Sequence, residues 1–310
     1  MPSYKKNPLI SIGIPTYNRS EKLFKTLASI INQDYKNIEI IVCDNNSNDN
    51  TSQIVSDFDD KRIHYHKNKK NIGMRNNFNM CLNKSKGDYF ILISDDDIPK
   101  NTLVSSLFQK VSKNIDNKFA YSSVEFHRNG IFHGDTSQNA PPVETGRNFI
   151  KNNLLGKRAA FPSATIFRTQ DAIAVGGYPD IDNATDFGLL ILLCLGPNCL
   201  VSFSQEPLVE YHDHGENLSY KAIYIDALGK MIQWIKVILK NNPNLLNLAL
   251  SKYKKELLSI YRINMLKKDY DLTRRASAIY KMYFYSLFDE ILFALSTNAY
   301  LVKIYNFLLK

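Results

Sequence analysis

Length, composition and charge set the first limits on this chain. Its 310 residues and 35.6 kDa allow about two domains of roughly 150 residues each, or one larger domain with an appendage. With 44% hydrophobic and 22% charged residues, the composition is that of a globular protein and excludes an intrinsically disordered one. Four cysteines without a C-x-x-C spacing argue against a disulfide scaffold and against a four-cysteine zinc site.

The apolar runs are too short for a targeting or membrane segment. The run after Lys5 and Lys6 has only six residues (LISIGI), so the N-terminus does not read as a signal peptide. The longest near-continuous apolar stretch, residues 187–195, is about half of the ~20 residues that a membrane-spanning helix needs. We therefore expect a cytoplasmic protein that does not cross a membrane.

The first hundred residues alternate between predicted strands and helices. Short β-branched runs predict buried strands at residues 9–14 and 38–43, and further strands are predicted at 62–66 and 89–93. Helical spacing predicts helices at 21–33, 51–58 and 74–84, with another beginning near Pro99. This order predicts an α/β fold, a mainly parallel sheet flanked by helices, whose ligands bind beyond the carboxyl ends of the strands.

The remaining chain is predicted to have a less regular middle and a helical end. Residues 134–147 read as a polar loop, 163–167 and 200–203 as strands, and 187–195 as a buried helix. From about Ser219 the pattern is helical, with a break at residues 241–244 (NNPN). We predict a domain over residues 1–220 and a C-terminal helical region over 221–310.

The positive charge is concentrated in that helical region. The net charge is +9, and residues 221–310 hold 15 Lys or Arg against 6 Asp or Glu, while residues 1–220 balance at 24 against 24. A basic tail on a neutral body favours an anionic partner, either an acidic membrane leaflet or a nucleic acid. A solvated lysine-rich face and a homo-oligomer interface are the alternatives.

Acidic residues follow the predicted fourth strand. Asp95, Asp96 and Asp97 are consecutive, and like charges held together repel and raise each other's pKa. A hard cation such as Mg²⁺ or Mn²⁺ removes that cost and prefers carboxylate oxygens together with substrate phosphates. Capping of the following helix would explain one aspartate but not three.

The other two strand ends carry candidate donor-binding residues. Asp44 follows the second strand, where it can accept a hydrogen bond from a nucleobase or ribose, although Asp is common in turns for local reasons. Tyr17 follows the first strand and can stack on a base or simply pack. No G-x-G-x-x-G follows the first strand and no G-x-x-x-x-G-K-[ST] occurs, which argues against NAD- or FAD-binding Rossmann domains and P-loop NTPases.

Together these motifs resemble those of the family 2 glycosyltransferases over roughly residues 8–110. The matching segments, in order, are residues 15–19 (PTYNR), 44–51 (DNNSNDNT), 71–73 (NIG) with Asn76 and Asn77, 87–89 (GDY) and 94–99 (SDDDIP). The resemblance implies a GT-A fold, which is Rossmann-like, a nucleotide-sugar donor that is most often a UDP-sugar, a Mn²⁺ or Mg²⁺ cofactor, and inversion at the anomeric carbon.

The resemblance also implies roles for particular residues. The donor-binding residues would be Pro15, Tyr17, Arg19, Asp44, Asn46, Asn71, Gly73, Asn76, Asp95 and Asp97. Ser94 stands at the first Asp of the family's metal motif, so Asp96 is assigned to the metal with Asp97 beside it. The alternative frame of the motif is Asp95-x-Asp97.

The resemblance extends to two segments further along the chain. Asp186, in Thr185-Asp186-Phe187, stands where the family carries Glu-Asp before an apolar helix and would be the catalytic base; capping of that helix is the alternative role. His214, in residues 211–219 (YHDHGENLS), matches a histidine that would ligate the metal or meet the diphosphate, with a structural role as the alternative.

The expected function is therefore inverting transfer of a sugar to a hydroxyl of a glycan or lipid-linked glycan in bacterial surface polysaccharide synthesis. The basic helices would touch the inner membrane face peripherally, and no nucleic acid is expected. A metal-dependent nucleotidyltransferase is the enzymatic alternative, although residues 15–19 lack the glycine of a triphosphate loop. A non-catalytic protein that binds nucleic acid or another anionic surface is the second alternative, and it leaves the three aspartates unexplained.

Overall fold

The computed structural model describes residues 7–136, 138–213, 222–267 and 269–284. The chain divides into two compact units, Met1–Asn217 and Leu218–Lys310. The first unit contains the sheet and the second is helical where it is described.

Four parallel strands and three helices form the first half of the sheet unit. The strands are β1 (Ile10–Thr16), β2 (Ile38–Asp44), β3 (Ile63–Lys67) and β4 (Tyr89–Leu92), and the helices between them are α1 (Ser20–Ile31), α2 (Thr51–Ser56) and α3 (Met74–Lys84). Their order in the sheet is β3-β2-β1-β4, with every neighbouring pair parallel. The carboxyl ends of β1, β2 and β4 consequently lie along one edge.

The second half of the unit extends this sheet with mixed pairing. Its strands are β5 (Ile98–Pro99), β6 (Asn117–Arg128), β7 (Ile131–Asp135), β8 (Val143–Thr145), β9 (Thr165–Arg168) and β10 (Leu200–Asp213), and its helices are α4 (Leu103–Val111), α5 (Gly146–Leu154), α6 (Thr169–Ala174) and α7 (Thr185–Cys194). The sheet continues from β4 as β9-β6-β10-β5, and β9 runs antiparallel to both neighbours. β10 is parallel to β6 and antiparallel to β5.

The core explains why the first strands read as continuous apolar runs. Ile10, Ile12 and Ile14 of β1 are fully buried, as are Ile40 and Val42 of β2. The main core cluster joins these strands to apolar residues of α1 and α4. A parallel sheet covered by helices on both faces requires apolar side chains on both sides of each strand.

Two predicted element boundaries shift in the structure. The helix expected near Pro99 begins at Leu103, and Pro99 instead lies in β5, where it pairs with Val209 of β10. Since β5 ends the sheet order, the missing N–H of proline costs no ladder hydrogen bond. The predicted polar loop at residues 134–147 includes β8, which pairs with the start of β10.

The C-terminal unit contains α8 (Ala222–Ile238), α9 (Pro243–Leu266) and α10 (Tyr270–Phe284). α9 starts at Pro243, within the predicted break, where proline suits the first helical position. Ile225, Tyr261 and Ala276 form an apolar cluster among these helices. In the part of the chain that the structure describes, no helix combines the length and the apolar character that crossing a bilayer demands.

Candidate active site

The carboxyl ends of β1, β2 and β4 bring the predicted strand-end motifs together. Thr16 at the end of β1 is in register with Asp44 at the end of β2. The Thr16 hydroxyl donates a hydrogen bond of 2.7 Å to Oδ2 of Asp95, in the loop after β4. The three loops therefore meet at one edge of the sheet, the position expected for a ligand site in a parallel α/β sheet.

Arg19 links two of the three consecutive aspartates. Its Nη1 atom lies 3.1 Å from Oδ1 of Asp95 and 2.9 Å from Oδ2 of Asp96. The two carboxylate side chains are 6% and 9% exposed, whereas that of Arg19 is 41% exposed. Two oxygens from neighbouring residues thus converge on one cationic atom, which reduces the repulsion between their charges.

Asp97 takes a different direction from its two neighbours. Its carboxylate is buried and accepts one hydrogen bond from the Ser163 hydroxyl and one, of 3.2 Å, from the backbone N–H of His212 in β10. The Ser163 Oγ atom in turn accepts from the N–H of Ser94. Asp97 therefore joins the loop after β4 to β10 and to the segment before β9.

Burial changes the proton affinity of two of these aspartates. It raises the pKa of Asp95 to about 6, against the opposing effect of Arg19. Burial also raises the pKa of Asp97 to about 7, and the nearby Asp96 adds to the rise. Strongly perturbed carboxyl pKa values in a cleft are typical of functional sites.

The acidic loop has carboxylates that fit a divalent cation whose coordination is completed by substrate phosphates. Among the described residues no group of three or more His, Cys, Asp or Glu side chains is placed to hold a metal ion. Mg²⁺ is commonly held by one or two carboxylates together with substrate phosphates. The oxygens of Asp95 and Asp96 already converge on one cationic nitrogen, so these two residues could supply the carboxylate ligands. His214 lies outside the described residues.

Asp44 is buried below the loop that follows β2. Its side chain is fully buried and accepts hydrogen bonds from the Ser47 backbone N–H and the Tyr65 hydroxyl. Asn46, which lies between Asp44 and Ser47 in the chain, has a φ of 70°, a left-handed conformation that asparagine tolerates better than most residues. Asp44 therefore shapes the loop on which Asn46 lies.

An asparagine network fixes the loop before α3. Asn45 donates to Oδ1 of Asn71 at 2.8 Å and accepts from the N–H of Ile72 at 2.9 Å. Asn68 donates to both Asn45 and Asn77. Because an amide side chain both donates and accepts, these residues tie the loop to the end of β2.

Gly73 and Asn76 complete this loop at the start of α3. Gly73 precedes the helix with a φ of 81°, which favours glycine, and its N–H donates to Asn71. The Asn76 side chain donates to the carbonyl of Ile72 at 2.7 Å. The predicted donor residues Asn71, Gly73 and Asn76 are thus parts of one ordered loop.

The loop after β1 leaves Tyr17 accessible. Pro15 is in register with Cys43 of β2, and the backbone N–H of Asn18 donates to the Ser47 hydroxyl at 2.8 Å. Tyr17 between them is 43% exposed. Its aromatic ring is therefore accessible at the same edge as the acidic loop.

Asp186 lies in the first turn of α7, beside a small cavity. The N-cap residue of this helix is Ala184, so Asp186 is not the cap. The residue is partly exposed, but burial of its carboxyl group raises its pKa, while a hydrogen bond from the Phe187 backbone opposes the rise. The cavity is lined by Asp186 together with Ala160, Pro162, Thr165, Phe167, Tyr178, Leu189 and Leu190.

Two residues that the sequence did not single out connect Asp186 with the acidic loop. Ser163 bonds to Asp97 and follows Pro162 of the cavity wall. Tyr211 packs its ring against Phe161, with centroids 4.8 Å apart. Burial raises the pKa of Tyr211, and the carboxylates of Asp97, Asp96, Asp213 and Asp186 raise it further. The catalytic candidate and the acidic loop therefore lie near the same tyrosine.

No local signal marks these connecting residues in the sequence. Ser163 was part of a predicted strand, and Tyr211 preceded the matched histidine without a role of its own. Asn45 and Asn77 belonged to segments that carry the family resemblance but had no role of their own, and Asn68 carried only the general signal of high asparagine density before α3. Their partners become visible only when the strands are assembled.

The sequence has counterparts among known proteins. Residues 11–170 match the family described as Glycosyl transferase family 2. The chain is 36% identical over 121 residues to the GalNAc(5)-diNAcBac-PP-undecaprenol beta-1,3-glucosyltransferase of Campylobacter jejuni, covering 38% of this chain and 39% of that protein. It is 34% identical over 136 residues to the UDP-Glc:alpha-D-GlcNAc-diphosphoundecaprenol beta-1,3-glucosyltransferase WfaP of Escherichia coli, covering 43% of this chain and 52% of that protein.

The fold has a counterpart among solved structures. The crystal structure of S. aureus TarS in complex with UDP-GlcNAc superposes with a TM-score of 0.69 at 18% identity, covering 88% of this chain and 81% of that chain. At that identity the likeness establishes the GT-A fold alone. With the family match spanning more than half of its residues, the chain belongs to glycosyl transferase family 2.

Proposed function

We propose that this glycosyltransferase moves a sugar from a UDP-sugar to a hydroxyl of a lipid-linked glycan, with inversion at the anomeric carbon. Two relatives support the acceptor class, because their names specify undecaprenol-diphosphate-linked sugars. One of those names specifies UDP-Glc, and the similar fold of TarS holds UDP-GlcNAc. The product would enter a bacterial surface polysaccharide.

The observation that carries this proposal is the grouping of carboxylates at one edge of the sheet. Asp95 and Asp96 converge on Arg19, and Asp97 reaches Ser163, next to the cavity that Asp186 lines. An inverting transfer needs a group that balances charge on the departing diphosphate and a base near the acceptor hydroxyl. A cation held by the acidic loop would balance the charge on the diphosphate, and Asp186 would serve as the base.

We assign the donor to the loops after β1, β2 and β4 and before α3. The assigned residues are Pro15, Tyr17, Arg19, Asp44, Asn46, Asn71, Gly73, Asn76 and Asp95. Tyr17 and Arg19 have the exposure to touch the donor directly. Asp44 acts beneath the surface, since its carboxylate is committed to Ser47 and Tyr65.

Asp96 is the principal carboxylate that we assign to a Mn²⁺ or Mg²⁺ ion, with Asp95 beside it. Such an ion would supply Lewis-acid stabilisation of the negative charge on the diphosphate. Asp97 was expected as a further ligand, but both of its oxygens accept hydrogen bonds within the fold, so we assign it to holding the acidic loop in place. His214 remains a proposed ligand of that ion, and a His214→Ala variant should then bind Mn²⁺ more weakly than the wild type.

Asp186 performs the proton transfer in this mechanism. Its carboxylate accepts the proton of the acceptor hydroxyl as that oxygen forms a bond to the anomeric carbon. The bond between the anomeric carbon and the phosphate oxygen breaks at the same time, and the nucleoside diphosphate leaves with the bonding electrons. A single displacement of this kind inverts the configuration. The partly buried setting of Asp186 raises its pKa and strengthens it as a base.

Replacing Asp186 tests the proposed base. Turnover is first established with a panel of UDP- and GDP-sugars and an undecaprenyl-diphosphate-linked glycan. The Asp186→Asn variant should then lose about 10²–10⁴-fold in kcat, the usual contribution of a positioned base. Its dissociation constant for the donor, measured by calorimetry, should remain close to that of the wild type because Asp186 acts on the acceptor.

Asp180→Asn is the matched control. Asp180 is also close to the start of α7 in sequence, and its side chain is 69% exposed and lies 3.5 Å from Arg75. This variant should retain turnover. Near-normal turnover of the Asp186→Asn protein would show that the base lies elsewhere.

A further inference from the structure

Arg19 occupies the point at which the carboxylates of Asp95 and Asp96 converge. We propose that Arg19 is a displaceable counter-ion of the metal site: it holds the two aspartates together before a divalent cation binds, and it passes to the donor diphosphate when that cation takes its place. This role rests on the proposed function and adds to it a mechanism that couples metal binding to donor binding.

Arg19 contacts both carboxylates through the same atom. A single Arg19 nitrogen contacts Oδ1 of Asp95 at 3.1 Å and Oδ2 of Asp96 at 2.9 Å. One oxygen from each carboxylate therefore faces the same point in space, as the binding of a cation between the two carboxylates requires. The guanidinium and a divalent cation would therefore compete for the same two oxygens.

Arg19 and Asp95 differ in side-chain exposure and in their anchoring within the fold. Asp95 is held by Thr16, whose hydroxyl donates to its other oxygen at 2.7 Å. The Arg19 backbone is also fixed, because its carbonyl accepts the N–H of Leu23 at the start of α1. The Arg19 side chain, however, is 41% exposed, against 6% for Asp95. The long cationic side chain can therefore leave while the carboxylate of Asp95 stays in position.

The released Arg19 guanidinium would bind the donor diphosphate. An arginine side chain binds phosphate oxygens with paired, charge-assisted hydrogen bonds. A diphosphate bound next to the cation would lie within reach of the side chain that the cation displaced. Metal binding would free Arg19 for the donor, and donor binding would keep Arg19 away from the carboxylates. Thermodynamic linkage requires this coupling to act equally in both directions.

The experiment measures Mn²⁺ binding directly, by electron paramagnetic resonance, without nucleotide. Arg19→Met removes the competing charge and should lower the dissociation constant for Mn²⁺ by about tenfold, which corresponds to ~1.4 kcal/mol. Arg19→Lys keeps a positive charge without the planar guanidinium. Its dissociation constant for Mn²⁺ should lie between those of Arg19→Met and the wild type. Without metal, the melting temperature of Arg19→Met should fall below that of the wild type, and saturating Mn²⁺ should restore it.

Arg275→Met is a matched control within the same chain. Arg275 also contacts two aspartates, Asp226 at 3.2 Å and Asp271 at 3.0 Å, in the helical unit. Removing it deletes one arginine from a pair of aspartates without touching the acidic loop. The Mn²⁺ affinity of this variant should equal that of the wild type.

The same titration in the presence of UDP measures the coupling. UDP should increase Mn²⁺ affinity by a larger factor in the wild type than in Arg19→Met, because only the wild type can transfer Arg19 to the diphosphate. Equal factors, or Mn²⁺ affinity that is unchanged or weaker in Arg19→Met, would overturn the role of Arg19. If Arg19→Met does not fold, Arg19→Lys provides the same comparison.

The outcomes for this role and for the proposed function can be told apart. A wild type that transfers sugar but binds no Mn²⁺ overturns the role of Arg19 and leaves the proposed function intact. Mn²⁺ binding without sugar transfer from any donor counts against the proposed function alone.

Discussion

Three neighbouring aspartates have different environments although their local sequence is almost uniform. Asp95 and Asp96 share the cationic Arg19, whereas Asp97 accepts hydrogen bonds from Ser163 and His212. Asp95 and Asp96 lie in a turn, where successive side chains do not alternate as they do along an extended chain, so these two can share one partner while Asp97 meets others. Placing Asp97 in the interior ties the acidic loop to the sheet, which keeps the other two carboxylates together.

The setting of Asp186 determines the pH dependence expected of the reaction. A base must be ionised to accept a proton, and burial raises the pKa of Asp186 above its ordinary value. Activity should therefore fall as the pH falls through this raised pKa, with a midpoint above the value of about 4 that is usual for Asp. The measurement is kcat at saturating donor and acceptor as a function of pH.

Burial alone explains the direction of that shift. The charged form of a carboxyl group loses hydration in an apolar setting, and the hydrogen bond from the Phe187 backbone only partly compensates. A midpoint at or below the ordinary value would contradict the assignment of Asp186 as a partly buried base.

At the scale of elements, α7 owes the position of Asp186 to a close contact with the preceding segment. The Thr185 hydroxyl donates to the carbonyl of Pro179 at 2.7 Å. A Cβ atom on Gly188 would lie 2.6 Å from Pro179 Cγ and still closer to Ile181. The absence of a side chain at Gly188 thus lets the first turns of α7 approach residues 179–181.

Gly188→Ala tests this seating. Alanine favours a helix over glycine by about 1 kcal/mol, yet the clash should outweigh this gain and lower the free energy of unfolding by about 1–2 kcal/mol net. Because the displaced turn carries Asp186, kcat should fall by up to about 10²-fold, with little change in donor affinity. Urea denaturation and steady-state kinetics provide the two measurements.

Gly196→Ala is the control for that substitution. A Cβ atom at Gly196, just beyond the end of α7, meets no atom within 4 Å. This variant should match the wild type in stability and turnover. A Gly188→Ala protein with unchanged stability and kcat would show that the contact with residues 179–181 does not position the base.

β10 contributes to the site through its backbone. The strand runs from Leu200 to Asp213, pairs with Ile98 and Pro99 of β5, and donates the His212 N–H to Asp97. Its length was underestimated by the prediction of a strand at residues 200–203. Ser204, Gln205 and Glu206 end the apolar run, and the pairing with β6 shifts register on both sides of Pro207, so the local periodicity ends before the strand does.

At the scale of the whole molecule, charge divides the chain as the sequence suggests. The 15 basic and 6 acidic residues of 221–310 contrast with the balanced remainder, and Lys255, Lys267 and Arg274 are exposed. Each basic residue near an anionic leaflet contributes about 1 kcal/mol to binding. We propose that this helical region binds the membrane that carries the lipid-linked acceptor.

Vesicle sedimentation tests this membrane contact. The full chain should pellet with vesicles that contain anionic lipid, and less so at high salt, because screening weakens exposed charges. Changing Lys255, Lys267 and Arg274 together to Glu should reduce the binding constant by more than about 10²-fold. Vesicles of neutral lipid should bind neither protein.

Charge reversal in the first unit is the control for net charge. Lys25, Lys61 and Lys113 are exposed there, and changing them to Glu alters the total charge by the same amount. This variant should pellet almost as the wild type does. Equal losses in both triple variants would show that net charge, and not the helical region, governs the interaction.

The strand-helix alternation, the family and the loops of the candidate site could be predicted from the amino-acid sequence. These follow from local patterns: β-branched runs such as residues 38–43 read as buried strands, and the motifs after them are continuous in the chain. The GT-A fold and the family were accordingly predicted and confirmed.

The contacts between individual side chains could not be predicted in this way. The contacts of Asp97 with Ser163, of Asp95 with Arg19 and of Asn45 with Asn71 join residues that lie more than 20 positions apart. Such contacts depend on how the strands and loops pack together, and nothing in the local periodicity of the chain encodes them.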